Sequence, residues 1–400
     1  MTNRAESPTT ARRIDSFDLL RGVAVLLMME QHLGVWLWRG PAPGHRITEY
    51  PVLLGINILG GGAAPAFLML AGVGAALFLG RAERSSLRAA RRVLGTRGVT
   101  ILLFGYLLSL LTPSWFTLRS WYVLHLIGLS QLVIALFGKR GVLLATVCVA
   151  VLAATPWVQG LLGTPANLTN LRMTGADPMG TTDAVLRGGH LRLALAEGQF
   201  PILPWFAIFG WGAICGAVVP QTRAPRWLAV WGGVLALVGG AMVVSYHVLR
   251  LPLALSHPRI FKLNIPFFPC TPAFILLMGG ALAVVMAALL QRERKAGLRW
   301  ASPLCSLGRC SLSALIVHVV VFRELVRPLG LWQSCDVTTA SAILLGTLVG
   351  SMWIAHRWRR IQFRYGAEWL LRRAVPSESP PASTSRHPPS PTTDKRAGAN

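Results

Sequence analysis

Charged residues are scarce in this chain, and acidic residues are scarcer than basic ones. Asp, Glu, Lys and Arg together make up 14% of the 400 residues, and 15 acidic residues stand against 39 basic ones. Soluble domains carry close to twice that share of charge, and a mean hydropathy of +0.52 is also outside their range. The composition excludes an ordinary soluble protein and predicts an all-α integral membrane protein.

Signatures of metal sites and of hydrolases are also missing. The six cysteines form no Cys-x-x-Cys pair and share no ligand spacing with histidine, so no metal site is predicted. The chain has no Gly-x-Ser-x-Gly nucleophile motif and no pair of carboxylates suited to hydrolysis. These absences leave histidine as the main candidate for acid–base chemistry.

Long apolar runs are what the chain does contain. They predict about ten transmembrane helices, within a range of nine to eleven. The predicted spans are 14–37, 52–80, 97–112, 121–138, 141–158, 202–220, 227–248, 271–290, 304–322 and 337–356. Most Lys and Arg residues fall in the loops on the side of the N-terminus, so the positive-inside rule predicts a cytoplasmic N-terminus and C-terminus. The formal charge of +24 is then a topology signal, and no nucleic-acid partner is predicted.

No soluble domain interrupts this pattern of spans. Residues 1–13 are predicted to form a cytoplasmic N-terminal segment, and 14–375 a transmembrane domain. The tail 376–400 is rich in Pro and Ser, which predicts a disordered cytoplasmic segment. The lipid bilayer therefore surrounds most of the chain. A homodimer is compatible with it, because lipid-facing and partner-facing apolar surfaces look alike in sequence.

The first span is apolar and yet carries ionisable residues on one face. Arg21 and His32 lie 11 positions apart, which places them within about 20° of each other around a helix, and Asp18 follows the same stripe. An ionisable group deep in lipid costs at least about 2.5 to 3.5 kcal/mol, so this stripe is predicted to face protein or water. His32 is the leading candidate for chemistry in the chain.

Two other spans place a histidine at the same predicted depth. His125 lies near the start of span 121–138 and His318 lies far along span 304–322, so both fall with His32 in the outer half of the membrane. The alternative is coincidence, with each histidine satisfying a local hydrogen bond. A lone buried base would suit one reaction well, the deprotonation of an amine or hydroxyl as it attacks a thioester.

Basic residues mark the opposite side of the predicted bundle. Asp18, Arg21 and Arg309 are expected near the cytoplasmic ends of two spans, with Asp18 paired to either arginine. The basic connector 81–97 either anchors the neighbouring spans or contacts the phosphates of an anionic cofactor. The candidates for that second role are Arg88, Arg91 and Arg92.

Five segments of the chain resemble bacterial relatives of heparan-alpha-glucosaminide N-acetyltransferase, a family of multi-span membrane acyltransferases. They are RRIDSFDLLRGVAVLLMMEQH at 12–32, GGGAAPAFLMLAGVGAAL at 60–77, WYVLHLIGLSQLVIAL at 121–136, FPILPWFAIFGWGAICG at 200–216 and SLGRCSLSALIVH at 306–318. The resemblance implies a bacterial plasma-membrane enzyme. Its reaction would be transfer of an acetyl or other acyl group from cytoplasmic acyl-CoA to an amine or hydroxyl of a sugar or glycan on the other face.

The resemblance also implies roles for individual residues. A catalytic histidine works near the outer end of the first span in this family, and both His32 and His45 match such a position. His32 is preferred, because the loop GPAPGHRITEY around His45 departs from the family pattern. The residues that carry over as candidate pocket residues are Arg21, His125, Arg309 and His318.

A second class of function stays open at this point. Intramembrane Arg, Asp and His residues serve substrate and ion pathways as well as catalysis, so a transporter or flippase for a polar or lipid-linked solute is the alternative to an acyltransferase. Binding of acyl-CoA distinguishes the two classes. The sequence does not specify the acceptor, the acyl length, N- or O-acylation, or a direct or ping-pong route.

Overall fold

The structure is a computed structural model that describes residues 13–82, 86–164, 189–264 and 269–375. Within these ranges the chain is almost entirely helical, and one isolated bridge of extended backbone joins Trp38 to Cys335. The prediction of an all-α fold is therefore confirmed. The predicted disordered tail 376–400, and the N-terminal segment apart from Arg13, lie outside the described residues.

The helices that position the site are numbered in chain order. They are α1 (Asp15–Leu37), α2 (Pro51–Gly60), α3 (Ala63–Arg81), α4 (Leu87–Leu111), α5 (Val123–Phe137), α6 (Gly141–Leu161), α7 (Ile202–Val218), α8 (Ala224–His247), α9 (Pro272–Ala296), α10 (Ser302–Arg309), α11 (Ser311–Val320), α12 (Val337–Trp358) and α13 (Ala367–Ala374). A π-helical turn, Val321–Val326, continues α11. Shorter helices at His190–Arg192 and Pro258–Phe261 lie in the connections.

Six stretches in the described ranges are long and apolar enough to cross a membrane, and two bent helix pairs raise the number to eight. One bent pair joins His190–Glu197 to α7, and the other joins Arg299–Arg309 to Ser311–Leu329. The prediction of about ten spans also includes α1 and α5. α1 carries several charges and α5 has only 15 residues, so neither passes the same test. The count of ten and the cytoplasmic termini stay predictions.

From Leu87 onward the basic connector is helical and continues into the next span. The predicted span 97–112 begins at Leu87 in the structure, where α4 runs for 25 residues. The predicted span is thus the second part of a longer helix whose first turns belong to the basic connector. Arg and Lys have good helix propensity, so the basic residues continue the helix instead of ending it.

α1 lies at the centre of the fold and packs against α3, α9, α10, α11 and α12. Its closest neighbour is α10, where Gly22 and Gly308 let the two backbones touch. A Cβ atom on Gly22 would collide with the carbonyl oxygen of Leu304, and one on Gly308 with that of Asp18. This approach brings the polar stripe of α1 next to Arg309, at the end of α10.

The first turn of α1 is fixed by a carboxylate from α9. Glu293 accepts hydrogen bonds from the backbone N–H groups of Asp15, at 3.0 Å, and Ser16, at 2.9 Å. These N–H groups have no partner within the helix, and a negative charge is favourable at a helix N-terminus. Glu293 therefore sets the position from which the polar stripe of α1 begins.

Candidate active site

A cavity of about 690 Å³ lies between α1, α3, α4, α5, the α10–α11 bend and α13. Most of its wall is apolar, with Phe67 and Phe78 from α3, Ile101 from α4 and Ile127 from α5. A cavity of this size is within the range of sites for small molecules and cofactors. The polar groups in its wall are therefore the ones that decide what it binds.

One end of the cavity is lined by arginine side chains, and we call this cluster the basic end. Its members are Arg13, Arg21, Arg97, Arg309 and Arg372. Asp18 accepts hydrogen bonds from Arg13, the longer at 2.9 Å, and from Arg21 at 3.2 Å. The predicted pair of Asp18 with Arg21 is thus present. Five cations against two carboxylates, Asp18 and Glu368, make this end a site for an anion.

Two arginines of the basic end have no acidic partner among the residues that the structure describes. Arg309 lies over the ring of Phe363, with its guanidinium carbon 5.0 Å from the ring centroid. Within the described residues, neither Arg309 nor Arg97 makes an ion pair, and the predicted alternative pair of Asp18 with Arg309 does not form there. Both side chains are free to bind a ligand in the cavity.

A hydrogen-bonded pair of histidines lies beyond Met28 and Leu315 of the cavity wall. His32 Nδ1 and His318 Nε2 are 2.9 Å apart, and His318 Nδ1 lies 2.8 Å from the carbonyl oxygen of Ala314. A carbonyl oxygen only accepts, so in the neutral ring His318 carries its hydrogen on Nδ1 and a lone pair on Nε2. His32 must then donate from Nδ1. The chain of hydrogen bonds leaves His32 Nε2 with a lone pair, ready to accept a proton.

Aromatic rings hold this pair in place. The His32 ring stacks on Trp36 with centroids 4.9 Å apart, and Trp115 meets it edge-on at 5.4 Å. His318 is buried, whereas His32 is half-buried and keeps some accessible surface. His32 is therefore the more accessible residue of the pair, and it is also the one whose Nε2 has no hydrogen-bond partner within the described residues.

The cavity ends about one helical turn short of the pair. Met28 lines the cavity four residues before His32, and Leu315 lines it three residues before His318. Four residues of helix correspond to a rise of about 6 Å. His32 and His318 therefore lie about one helical turn beyond the residues that line the cavity, and neither of them lines it.

A buried arginine lies behind the pair. Arg323, in the turn after α11, is fully buried and donates to the carbonyl oxygen of Ser114 at 2.7 Å. Its guanidinium carbon lies 4.5 to 5.6 Å from the ring centroids of Trp36, Trp115 and Trp332. Cation–π contacts of this kind gain strength when desolvated, and they fix the ring that His32 stacks on.

His125 is buried in a separate cluster. It lies at the start of α5 among the rings of Tyr106, Trp121 and Tyr122, with centroids 4.5 to 5.4 Å away. Its Nδ1 accepts a long hydrogen bond, 3.4 Å, from the Tyr122 N–H, and its Nε2 has no partner within the described residues. Its neighbour Leu124 lines the cavity, but His125 does not.

His45 lies on the surface, away from the cavity wall. It is exposed in the segment after α1, and its Nδ1 is 2.5 Å from a carboxylate oxygen of Glu49. This hydrogen bond lowers the pKa of Glu49 below its ordinary value. Within the described residues His45 has no contact with His32, and its catalytic role stays a prediction.

The three arginines of the basic connector do not line the cavity. Arg88 and Arg92 are exposed on the first turns of α4. Arg91 donates to the carbonyl oxygens of Ala135 and Leu136, the latter at 2.6 Å, and so satisfies the last turn of α5. Their role as phosphate ligands stays a prediction, while the structure supplies other arginines for that purpose.

Several residues of the site were not among those predicted. They are Arg13, Arg97 and Arg372 at the basic end, Gln131 in the cavity wall, and Arg323 with its tryptophans. A signal was available for two of them, because Arg97 and Arg323 are charged residues within or beside apolar runs. Within the described residues no group of three or more His, Cys, Asp or Glu side chains could hold a metal ion, and the absence of a metal stays a prediction.

Comparison with known proteins gives two family matches. The family model for the heparan-alpha-glucosaminide N-acetyltransferase catalytic domain matches residues 13–250, more than half of the chain. A second model, for a family of unknown function (DUF418), matches residues 213–377. No curated protein matches the chain. His32 lies in the first matched region and His318 in the second, so the histidine pair and the cavity are built from both.

Proposed function

The chain belongs to the family of the heparan-alpha-glucosaminide N-acetyltransferase catalytic domain, and from this premise we propose that it acetylates a sugar or glycan with acetyl-CoA as the donor. The acceptor group is an amine or a hydroxyl. The observation that carries the proposal is the hydrogen bond between His32 and His318, which leaves His32 Nε2 free. His32 lies about one helical turn beyond a cavity that has a basic end. A base, an anion site and a connecting cavity are what a CoA-dependent transferase needs.

The basic end suits the phosphates of the donor. Arg21 and His32 are separated by about 16 Å along α1, at about 1.5 Å of rise per residue. The arm of CoA between its inner phosphate and its sulfur has about thirteen bonds and reaches about 15 Å, at the extension per bond of a polypeptide backbone. Phosphates at Arg21, Arg97 and Arg309 would therefore bring the thioester to His32.

Gln131 fits the amide groups of the donor arm. It lies in the cavity wall, is 2% exposed, and its Oε1 has no hydrogen-bond partner within the described residues. A buried carbonyl left unsatisfied costs about 1–3 kcal/mol. The two amide N–H groups in the arm of CoA are donors of the kind this oxygen lacks, so we assign Gln131 to them.

His32 acts as the general base in the proposed reaction. The acceptor nitrogen or oxygen attacks the carbonyl carbon of the thioester, and its proton moves to His32 Nε2. The carbon–sulfur bond breaks, and the same proton passes from Nε2 to the thiolate, which leaves as CoA. The Nδ1–H of His32 stays bonded to His318 throughout, because only Nε2 gains and loses a proton. General acid–base catalysis of this kind contributes about 10²–10⁴-fold.

We place the donor on the cytoplasmic face and the acceptor on the opposite face. The support is the distribution of Lys and Arg residues, which predicts that α1 begins in the cytoplasm. In that orientation the basic end of the cavity opens toward cytoplasmic acetyl-CoA. His32 then lies toward the other face, where a glycan acceptor would reach it.

The first experiment measures donor binding by the purified protein in detergent, with acetyl-CoA, CoA and ATP as probes. We expect saturable micromolar binding of acetyl-CoA and CoA, and none of ATP. His32→Ala should keep that binding and lose transfer of radiolabelled acetyl to glucosamine. No binding of acetyl-CoA to monodisperse protein would contradict the proposal and favour a transporter.

A matched pair of arginine variants tests the donor site itself. Arg97 lines the cavity, whereas Arg92, on the same helix and also exposed, does not. Loss of one charged hydrogen bond weakens binding by about 10–100-fold. We expect that loss of acetyl-CoA affinity for Arg97→Ala and no change for Arg92→Ala. The reverse result would indicate that the basic connector, rather than the cavity, binds the donor phosphates.

The direct route is distinguished from a covalent one by labelling. Incubation with radiolabelled acetyl-CoA and no acceptor leaves no label on the protein if transfer is direct, which is the route we propose. A label that persists in the denatured wild-type protein and is missing from His32→Ala would show an acetyl-histidine intermediate and a ping-pong route.

A further inference from the structure

The C-terminal helix α13 lies across the basic end of the cavity. Glu368, Leu371 and Arg372, together with Val375 just after the helix, line the cavity. The helix packs against α4 on one side and α11 on the other. It therefore forms part of the cavity wall beside the arginines of the basic end.

A set of hydrogen bonds fastens α13 to the first turn of α11. Glu368 accepts from the backbone N–H groups of Leu312, at 2.6 Å, and Ser313, at 3.1 Å, and from the Ser313 hydroxyl at 2.5 Å. The Ala367 N–H donates back to the same hydroxyl at 2.8 Å. These α11 N–H groups have no partner within their own helix, and the carboxylate is well placed at its N-terminus. α13 is thus docked on the helix that carries His318.

The two adjacent arginines of α13 face different surroundings. Arg372 lines the cavity, and its hydrogen bond within the described residues, to the Gln362 carbonyl oxygen, is long at 3.5 Å. Arg373 does not line the cavity and stacks on Trp369, with its guanidinium carbon 4.2 Å from the ring centroid. Only Arg372 adds its charge to the basic end.

We propose that α13 completes the donor site, with Arg372 as a ligand of the donor phosphates and Glu368 as the residue that positions the helix. This inference rests on the proposed acetyl-CoA-dependent function. Arg372 adds a fourth helix to the arginines that α1, α4 and α10 supply, so the phosphates are surrounded rather than held from one side. Glu368 lines the same cavity, but both of its carboxylate oxygens accept the hydrogen bonds that dock α13, and it acts through that docking.

The test compares two donors and two matched variants. Acetyl-pantetheine has the same thioester as acetyl-CoA but lacks its phosphates. For Arg372→Ala we expect the KM for acetyl-CoA to rise about 10–100-fold, the loss typical of one charged hydrogen bond, with the KM for acetyl-pantetheine unchanged. Arg373→Ala removes the same charge from the same helix and should leave both values unchanged.

Glu368 is tested by its effect on Arg372. Glu368→Leu should raise the KM for acetyl-CoA. Glu368→Gln should restore most of the affinity, because its amide oxygen accepts the two backbone N–H bonds and its NH2 group can donate to the Ser313 hydroxyl. The double variant Glu368→Leu/Arg372→Ala should be little worse than either single variant. A merely structural role would instead lower the amount of folded protein, affect both donors equally and add to the effect of Arg372→Ala.

The outcomes separate this inference from the function on which it rests. If wild-type protein binds acetyl-CoA and Arg372→Ala behaves like Arg373→Ala, the role of α13 is overturned and the acetyltransferase proposal stands. If the wild-type protein does not bind acetyl-CoA, the proposed function itself fails. A loss with acetyl-CoA alone, confined to Arg372→Ala and Glu368→Leu, supports both.

Discussion

The pair of His32 and His318 and a second cluster around His125 lie at the same predicted depth. They differ in whether their chain of hydrogen bonds leaves a ring nitrogen without a partner. In one, the Ala314 carbonyl, His318 and His32 form a chain that leaves His32 Nε2 free. In the other, His190 Nδ1 lies 3.1 Å from the Arg119 carbonyl oxygen, and its Nε2 lies 3.2 Å from the Tyr106 hydroxyl. The carbonyl only accepts, so His190 donates from Nδ1 and accepts the tyrosine hydrogen on Nε2. Both ring nitrogens of His190 therefore have partners, and we call this second chain closed.

His125 belongs to the closed cluster without joining its hydrogen bonds. Its ring is enclosed by Tyr106, Trp121 and Tyr122, and it has no contact with the cavity. Burial is as complete as at His318. The comparison shows that burial and residue type do not distinguish a base from a packed ring. A ring nitrogen without a partner does not distinguish them either, since His125 Nε2 also lacks one within the described residues. Access of that nitrogen to a ligand does.

The largest difference between the clusters should appear when the same substitution is made in each. His32→Phe keeps an aromatic ring on Trp36 but removes the base, so we expect kcat for acetyl transfer to fall about 10²–10⁴-fold. His125→Phe fits among the same rings and should lower kcat less than about tenfold, since no catalytic term of that size is lost. Steady-state transfer with acetyl-CoA and an amino sugar measures both. A similar loss in the two variants would remove the distinction.

The partner histidines of the two clusters, His318 and His190, should differ less in their effect on kcat. His318→Phe deprives the His32 Nδ1–H of its acceptor, which matters most when the His32 ring is charged, so kcat should fall about 10–100-fold. His318→Gln restores an oxygen that can accept, and part of the rate should return. His190→Phe, the matching change in the closed cluster, should lower kcat severalfold at most. Full activity in His318→Phe would show that His32 works without its partner.

The clusters also differ in what holds them together. His32 and His318 come from α1 and α11, and α10, which precedes α11, contacts α1 through Gly308. Gly308→Ala should destabilise the fold by about 1–3 kcal/mol, the range for overpacked sites, because the added methyl meets backbone that cannot move aside. Gly105→Ala, beside His125, meets only that side chain at 3.0 Å and should cost less. Thermal unfolding in detergent measures both.

Gly346→Ala is the control for this pair. Gly346 has nothing within 4 Å of an added Cβ, so its substitution should leave the unfolding temperature unchanged or raise it through better helix propensity. If Gly308→Ala were as stable as Gly346→Ala, the close contact of α1 with α10 would not be what sets the distance between the histidines.

The sequence predicted the parts of the site that lie on one helix. The polar stripe of α1 follows from the helical period, and Arg21 lines the cavity as that stripe requires. His32 and His318 were predicted to share a depth, and their hydrogen bond adds the contact. Helical periodicity gives the direction of a side chain within its own helix. It does not give the neighbour that the side chain meets.

Two missed residues show a different limit. The predicted span 97–112 began at Arg97, and the predicted span 304–322 ended just before Arg323. In the structure α4 begins at Leu87, and helical turns continue beyond Val320 through Arg323. A charged residue at a span boundary is therefore as informative as one within a span. Arg372 gave no such signal, since its position depends on how α13 docks.

The smallest effect is expected at His45, the other histidine that matched the family position. His45→Ala removes an exposed ion pair with Glu49, and exposed pairs contribute little, so transfer should stay within about twofold of wild type. The pKa of Glu49 is lowered by this hydrogen bond, so the pair stabilises the segment above the ordinary carboxylate pKa of about 4.3 and is lost as pH falls through the lowered value. Transfer near pH 7 is therefore measured with Glu49 ionised. A loss comparable to that of His32→Phe would move the base from the end of the cavity to the surface, and the free nitrogen of His32 would need another explanation.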